Sequence, residues 1–395
     1  MTLKSRLHTQ VVTPLVWSTY FLILVFRGRS ALDRIPSDQG YGIFESARQG
    51  FRADAFLVPY FNLLTQSVPY IIAPLPIVSH AIATSILVHA IWAVCGLIIF
   101  LSFRHSQLPF RSAYLAGLAL VAVPYSSESA LGNPGILGFA LLTTSVVISA
   151  HRPVINDAPR TSAAFGLITG LTSPLGFLAV VPTLIRALHN HGLCRKELLF
   201  AFAVMSTLPV NLLVIGLSEA AEGRSGKIGV MWNGAGIFWW SGWTGPPAIA
   251  VFVLVICFLG RRKVGQFADS ITGLSLASIS IAASSYLLGG IGDRYFIAPA
   301  VLSVLSLLLL SHSIPRFNLS VPIRFSVISI ISVTLLVPAA KWFSAGWYLT
   351  SGPTWSSEVK RAEALCLSTE VDRVELQISP NGTQNLSCKY LMGDN

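Results

Sequence analysis

The chain has 395 residues, of which 53% are hydrophobic and only 11% charged, with a formal net charge of +10. Soluble domains carry about 25% charged residues, so this composition argues against an ordinary soluble enzyme. The basic excess falls mostly in loops between apolar runs, and that argues against a nucleic-acid partner.

Apolar runs recur along the whole length, separated by short basic or Gly/Pro-containing breaks. A bilayer helix needs about 20 apolar residues, so the expected fold is all-α, a polytopic transmembrane helical bundle. The runs are continuous and do not alternate, unlike a β-barrel. The first, VVTPLVWSTYFLILVF, follows Lys4 and Arg6 and is followed by Arg27 and Arg29. It lacks a small-x-small cleavage site and reads as a retained span, not a signal peptide. Spans are expected near 12–26, 79–103, 112–125, 134–150, 162–188, 198–217, 246–260, 271–289, 295–312 and 324–341. The 162–188 segment holds GLTSPLG in its middle and ends in RALHNHGLCRKE. It reads as a broken pair of half-length helices with both ends on one side, for about eleven crossings in all. Residues 1–341 then form the transmembrane domain, with a first outer loop at 27–78, and residues 342–395 form a small extracytoplasmic domain.

Charge sets the expected orientation. With the N-terminus cytoplasmic, the inner segments hold 14 Lys/Arg and three acids, Asp157, Glu197 and Asp269. The outer segments hold the other 13 Lys/Arg and 14 acids. The short inner loops are consistently basic, as a multi-pass plasma-membrane protein facing anionic lipid heads requires. The C-terminus then lies outside the cytoplasm.

Four outer stretches could carry chemistry. The first loop alternates Asp33, Asp38, Glu45 and Asp54 with Arg34, Arg48 and Arg52. These residues read either as a solvated loop with surface ion pairs or as the seat of a general base, since a partly dry carboxylate can have its pKa raised toward use. Glu128 lies in the turn VPYSSESALGNPG, facing a cavity or simply water, with Asn133-Pro134 as a helix cap. GDRY ends at Tyr295, and Arg294 there is either a phosphate clamp held by Asp293 or a snorkelling interfacial arginine. The loop WNGAGIFWWSGWTG, with Trp239 and Trp240, is an interfacial aromatic belt or a surface for stacking on sugars.

A metal site is not expected. His80 and His89 are nine residues apart on one predicted helix, on opposite faces, and no CxxC or Cys/His zinc spacing occurs. No cofactor is expected, and a divalent metal is left open. The span interiors lack acids spaced for a proton or ion relay. The tail predicts a small helix and a strand pair. With both tail cysteines in an oxidising exterior, Cys366 and Cys388 are expected to pair.

The order of these pieces resembles a group of bacterial polytopic membrane proteins related to the GT-C glycosyltransferases. The likeness is carried by SDQGYGIFESARQG…VPYFNLLTQSVPYIIAPLP, SESALGNPGILGFAL, GLTSPLGFLAVVPTLIRAL, GDRYFIAPAVL and the closing GPTWSSEVKRAEALC with its later cysteine. The resemblance implies a polyprenyl-phosphate-linked sugar donor used on the outer face, with an essential acid in the first outer loop. Asp38 best matches that position. Many members carry paired acids there, whereas Ser37 and Gln39 flank Asp38 here, so the base is Asp38 or Glu45. On this reading Arg294 clamps the leaving phosphate, Glu128 binds acceptor or sugar, and Asn133, Asp293, Tyr295, Trp239 and Trp240 join them as substrate-binding residues, while the aromatic loop and tail shape a groove for a glycan or lipid acceptor. Membrane lipids would surround the helices. A flippase or exporter of lipid-linked glycans is the competing class. Such a protein would line an inner cavity with basic residues, and the span interiors contain none, basic residues such as Arg186 and Arg324 falling at span edges. A non-catalytic envelope-assembly scaffold is the third.

Overall fold

The computed structural model describes residues 3–29, 32–35, 47, 62–122, 132–190, 192–217, 245–260, 264–287, 297–313, 352–369, 371–378 and 382–393. Helix α1 runs Leu3–Arg27, with Pro14 inside it, and so begins well before the expected span. Helix α2 is Leu63–Ile72. Pro74 and Pro76 cannot continue it, and the chain re-enters helix through a single 3-10 turn at Ile77–Ser79. Helix α3, His80–His105, ends with Arg104 and His105 in its last turn, where cations complement the helix dipole. Gln107 then turns the chain in the left-handed region, φ 63°, and Pro109 starts α4, Phe110–Val121.

Helix α5, Leu137–Ala150, buries every residue except Phe139. A helix buried all round belongs at the centre of a bundle, and α3 is among the helices packed on it. After a short α6, Arg152–Asp157, the expected broken pair is α7, Pro159–Thr172, a 3-10 turn at Gly176–Val180 and α8, Val181–Asn190. Pro174 cannot donate to the ladder, and the break falls at Ser173. The run read as one span at 198–217 is one apolar helical stretch with a kink between α9, Arg195–Met205, and α10, Leu208–Leu217. Pro209 explains the kink: it lacks the N–H for the Met205 carbonyl and its ring crowds that group. Helices α11 (Gly245–Leu259), α12 (Ala268–Leu287) and α13 (Ile297–Ser313) follow.

Among the described residues two helical stretches, Ile77–His105 and Arg195–Val214, are long and apolar enough to cross a membrane, and the other apolar helices are shorter. The interior is held by small and hydroxyl residues. Ser145 meets Thr169 at 2.7 Å, Ser149 meets Thr183 at 2.8 Å and Ser278 meets Ser303 at 2.9 Å. A Cβ on Gly117 would stand 2.4 Å from Tyr20 Oη and 2.5 Å from the Gly96 carbonyl, so glycine is required where α4 meets α1 and α3. Large apolar side chains meanwhile point outward: Phe202 is 74% exposed, Phe258 82% and Leu259 80%. His80 and His89 lie half a turn apart yet both are buried, because α3 is packed by α1, α4 and α5 around its circumference.

The tail is a helix, α14 (Trp355–Ser368), followed by an antiparallel hairpin of β1 (Arg373–Ile378) and β2 (Gly382–Ser387) and a last turn of helix, α15 (Cys388–Leu391). In β1, Val374, Leu376 and Ile378 alternate inward, the period of a half-buried strand. A disulfide joins Cys366 to Cys388.

Candidate functional site

Asp38, Glu45, Glu128, Trp239, Trp240, Asp293, Arg294 and Tyr295 lie outside the described residues. Asn133 is described. It is buried, and its Oδ1 accepts from the Gly135 N–H at 2.8 Å, so it caps the 3-10 turn at Pro134–Ile136.

The described residues that border the other candidates can be placed by helix direction. One end of the bundle is marked by a polar network. His151 Nδ1 meets Ser106 Oγ at 2.7 Å, His105 meets Asp157 at 3.4 Å and His189 meets Asp269 at 2.7 Å. Ser270 donates to the Ala150 carbonyl at 2.8 Å, and Phe267 packs on His312. From that end α4, α10 and α12 run away toward Val121, Leu217 and Leu287, while α5, α11 and α13 return to it from Leu137, Gly245 and Ile297. The far end therefore gathers the borders of all four candidate stretches: Ile35, Ala122 and Gly132, Leu217 and Gly245, and Leu287 and Ile297.

That far end is tied together by contacts between distant parts of the chain. Arg27 Nη1 donates to the Val121 carbonyl and Thr65 to the Pro134 carbonyl. Gly28 lies against His89, with a Cβ there only 2.6 Å from the ring. The tail docks here. Trp355, 2% exposed, donates its Nε1–H to the Ile77 carbonyl at 2.8 Å and its N–H to the Asp33 carbonyl at 2.7 Å. The Asp33 carboxylate accepts from the Ser356 N–H at 3.2 Å and from the Ser356 hydroxyl. An anion at a helix start offsets the positive end of its dipole, so the first loop supplies α14 with a cap. Glu358, in the first turn of α14, takes hydrogen bonds from Arg361 and from the Gln377 N–H. The Arg361 hydrogen bonds, helped by Gln377, outweigh burial and hold the Glu358 carboxyl below its ordinary range. A groove of about 730 Å³ lies between α14 and the hairpin, lined by Arg361, Leu365, Val371 and Arg373 among others.

The opposite end holds a second constellation. Arg186 is buried and donates to Glu197 Oε1 from Nε and Nη2, both at 3.0 Å, and to the Ser149 carbonyl from Nη1. Glu197, also buried, accepts from the Cys194 N–H at 3.1 Å and closes a capping box at the start of α9. Burial, reinforced by the Arg186 charge, pushes the His151 imidazole down to about 3. It is a neutral ring at any ordinary pH. Sequence reasoning treated these basic segments as orientation signals alone. The sequence offered only Glu197 three residues after Cys194, which lacks the Ser or Thr of a capping-box signature. Nothing local connected Asp33 to Ser356 across 323 positions. Among the described residues no group of three or more His, Cys, Asp or Glu is arranged to hold a metal ion.

No protein-family model matches the chain, and no curated protein matches it. Among solved structures it is similar to the crystal structure of the Archaeoglobus fulgidus oligosaccharyltransferase in the apo form, with 12% identity and a TM-score of 0.48. The match covers 90% of this chain and 58% of that one, so this chain spans little more than half of that protein's length.

Proposed function

We propose that the chain is a multi-pass membrane glycosyltransferase of the GT-C type. It takes a sugar from a polyprenyl-phosphate-linked donor and passes it to a cell-envelope glycan or lipid acceptor on the extracytoplasmic face. What supports the reading is the shared end of the bundle: the borders of the acid-rich first loop, the Glu128 turn, the aromatic loop and the GDRY segment all lie there, together with the docked tail. The outward-facing Phe202, Phe258 and Leu259 suit a hydrocarbon surround, because soluble proteins rarely expose large contiguous apolar patches. In this proposal about eleven crossings put the N-terminus in the cytoplasm and the tail, with its Cys366–Cys388 bond, outside.

Transfer from a phosphate-linked sugar needs a base for the acceptor hydroxyl and cationic stabilisation of the departing phosphate. Asp38 or Glu45 takes the proton, Arg294 steadied by Asp293 meets the phosphate, and Glu128 holds sugar or acceptor. Asn133, which caps the 3-10 turn at Pro134–Ile136, joins Trp239, Trp240 and Tyr295 in binding substrate. The test is Asp38→Asn in the intact protein, with lipid extracted from the wild type and identified by mass spectrometry. The expected result is a co-purified polyprenyl-phosphate sugar, with glycan transfer lost in the variant while expression and membrane insertion stay unchanged. Full transfer by Asp38→Asn would remove Asp38 as base. Loss of transfer in neither Asp38→Asn nor Glu45→Gln would favour a flippase or a scaffold.

A further inference from the structure

A cavity of about 320 Å³ opens at the end of the bundle away from the docked tail, lined by His105, Gln107, His151, Arg152, Arg186 and Asp269 among others. That is space for roughly ten waters at ~30 Å³ each, ample for a small charged group and a short stem. Two of its side chains ask for a ligand. His151 is only 2% exposed, and its Nε2 has no hydrogen-bond partner. Its other nitrogen meets Ser106 Oγ at 2.7 Å, and Ser106 Oγ donates to the Ser102 carbonyl at 3.1 Å. A hydroxyl has one proton to give, so with that proton on the Ser102 carbonyl we assign the tautomer in which Nδ1–H donates to Ser106 and Nε2 is a bare acceptor. Leaving such a group unpartnered in the interior is costly.

Arg152 is the second. Its side chain is 48% exposed, and its contact with Glu197 is a loose 3.7 Å. Glu197 is already engaged by Arg186 and the Cys194 N–H, and the cavity's own acid, Asp269, is engaged by His189. No hydrogen bond among the described residues occupies the Arg152 guanidinium.

We propose that this cavity binds a monoprotonated phosphate, the head of a phosphate monoester or inorganic phosphate itself. Its anionic oxygens accept from the Arg152 fork, and its P–OH donates to His151 Nε2. The pairing is selective. Sulfate and carboxylates carry no proton to give at neutral pH, and a plain alcohol has no charge for the arginine. Phosphate monoesters have a second pKa near 6, so a useful fraction keeps its proton near neutrality. Guanidinium binds two phosphate oxygens at once. The same chemistry arrives from solution or on a lipid headgroup.

The intact protein, in nanodiscs of phosphatidylcholine alone, is titrated with inorganic phosphate and separately with sulfate at pH 6.5 by calorimetry. Saturable one-site phosphate binding is expected, with sulfate at least about tenfold weaker. Arg152→Gln, at a half-exposed position, should weaken phosphate by about tenfold or more, since hydrogen bonds to charged groups contribute at about that scale. His151→Phe should abolish the preference over sulfate. If that buried variant fails to fold, the sulfate comparison on the native protein and Arg152→Gln decide the matter alone. Discs doped with phosphatidate separate the sources: a headgroup occupant lowers the apparent phosphate affinity, whereas a soluble occupant leaves it unchanged. No saturable phosphate binding would mean that water alone fills the cavity and would overturn the proposal. Equal binding of sulfate, or full affinity in Arg152→Gln, would do the same.

Discussion

Replacing Trp355 with alanine should release the tail from the bundle. The indole is among the largest fully buried side chains of the protein, and it bonds to the Ile77 carbonyl at 2.8 Å. Truncating a buried aromatic to alanine costs about 3–5 kcal/mol, lost transfer energy and residual cavity together. Each ~1.4 kcal/mol is tenfold in an equilibrium, so the undocked population should rise by two to three orders of magnitude, roughly. Trp355→Phe keeps most of the apolar contact and loses the N–H, leaving the Ile77 carbonyl without that donor. That change should cost about 1–3 kcal/mol. The assay is amide hydrogen exchange by mass spectrometry on the full-length protein in nanodiscs, following residues 355–368. The alanine variant should exchange fastest, the phenylalanine variant at an intermediate rate and the wild type slowest. Unchanged exchange in Trp355→Ala would refute the claim that this side chain anchors the tail. Equal damage from both variants would show that the hydrogen bond dominates over packing.

Three further outcomes are expected. Glu197→Ala strands the buried Arg186 guanidinium and should destabilise the bundle by about 3–5 kcal/mol, whereas Arg186→Met with Glu197→Leu together should cost far less than the two single changes summed. Thermal unfolding followed by tryptophan fluorescence measures both, and additive losses would contradict the coupling. Glu358 has its folded pKa depressed chiefly by Arg361, so its stabilising contribution is complete above the ordinary value of 4.5 and is lost as pH falls through the depressed one. Protection of residues 373–378 should therefore drop on acidification below that point, and Glu358→Gln should flatten the drop. Cys366→Ser opens a loop of sequence separation 22, worth about 3 kcal/mol by the chain-entropy relation. Exchange in the hairpin should speed up in that variant while α5 stays protected.

The helices were legible because run length and hydropathy are local properties. The apolar segments near 79–103, 134–150 and 271–289 coincide with α3, α5 and α12 to within a few residues, since a helix that must satisfy its own backbone extends as far as its apolar residues do. The kink between α9 and α10 was written in Pro209, but uniform hydrophobicity on both sides hid it. The docking of Trp355 was not legible, because it bonds to the backbone carbonyls of Ile77 and Asp33, about 280 and 320 positions away. Carbonyl positions follow from tertiary geometry and leave no residue-type signature. The candidate acids were legible only as residue types in polar segments. Their mutual placement depends on loops outside the described residues.

The two ends of the bundle differ in a way that bears on function. A buried charge is tolerable only with partners, and at the His151 end the partners are present: Arg186 has Glu197 and two acceptors from α5 and α8, and Asp269 has His189. The exceptions there are His151 Nε2, without a hydrogen-bond partner among the described residues, and Arg152, with only its loose contact to Glu197. At the other end, among the described residues, His89 is buried beside Gly28 with neither ring nitrogen bonded, and Gln66 Oε1 and Thr84 Oγ1 are likewise unpartnered. Unsatisfied buried polar groups are a few per domain in native proteins, and a functional site that awaits a polar ligand is one place they persist. His89 lies at the end bordered by the first loop, where Gly28 packs on its ring. His89→Leu at this end should therefore cost little stability, since it removes two unpartnered nitrogens while keeping the apolar contact with Gly28, and thermal unfolding of that variant separates a strained functional position from a purely structural one.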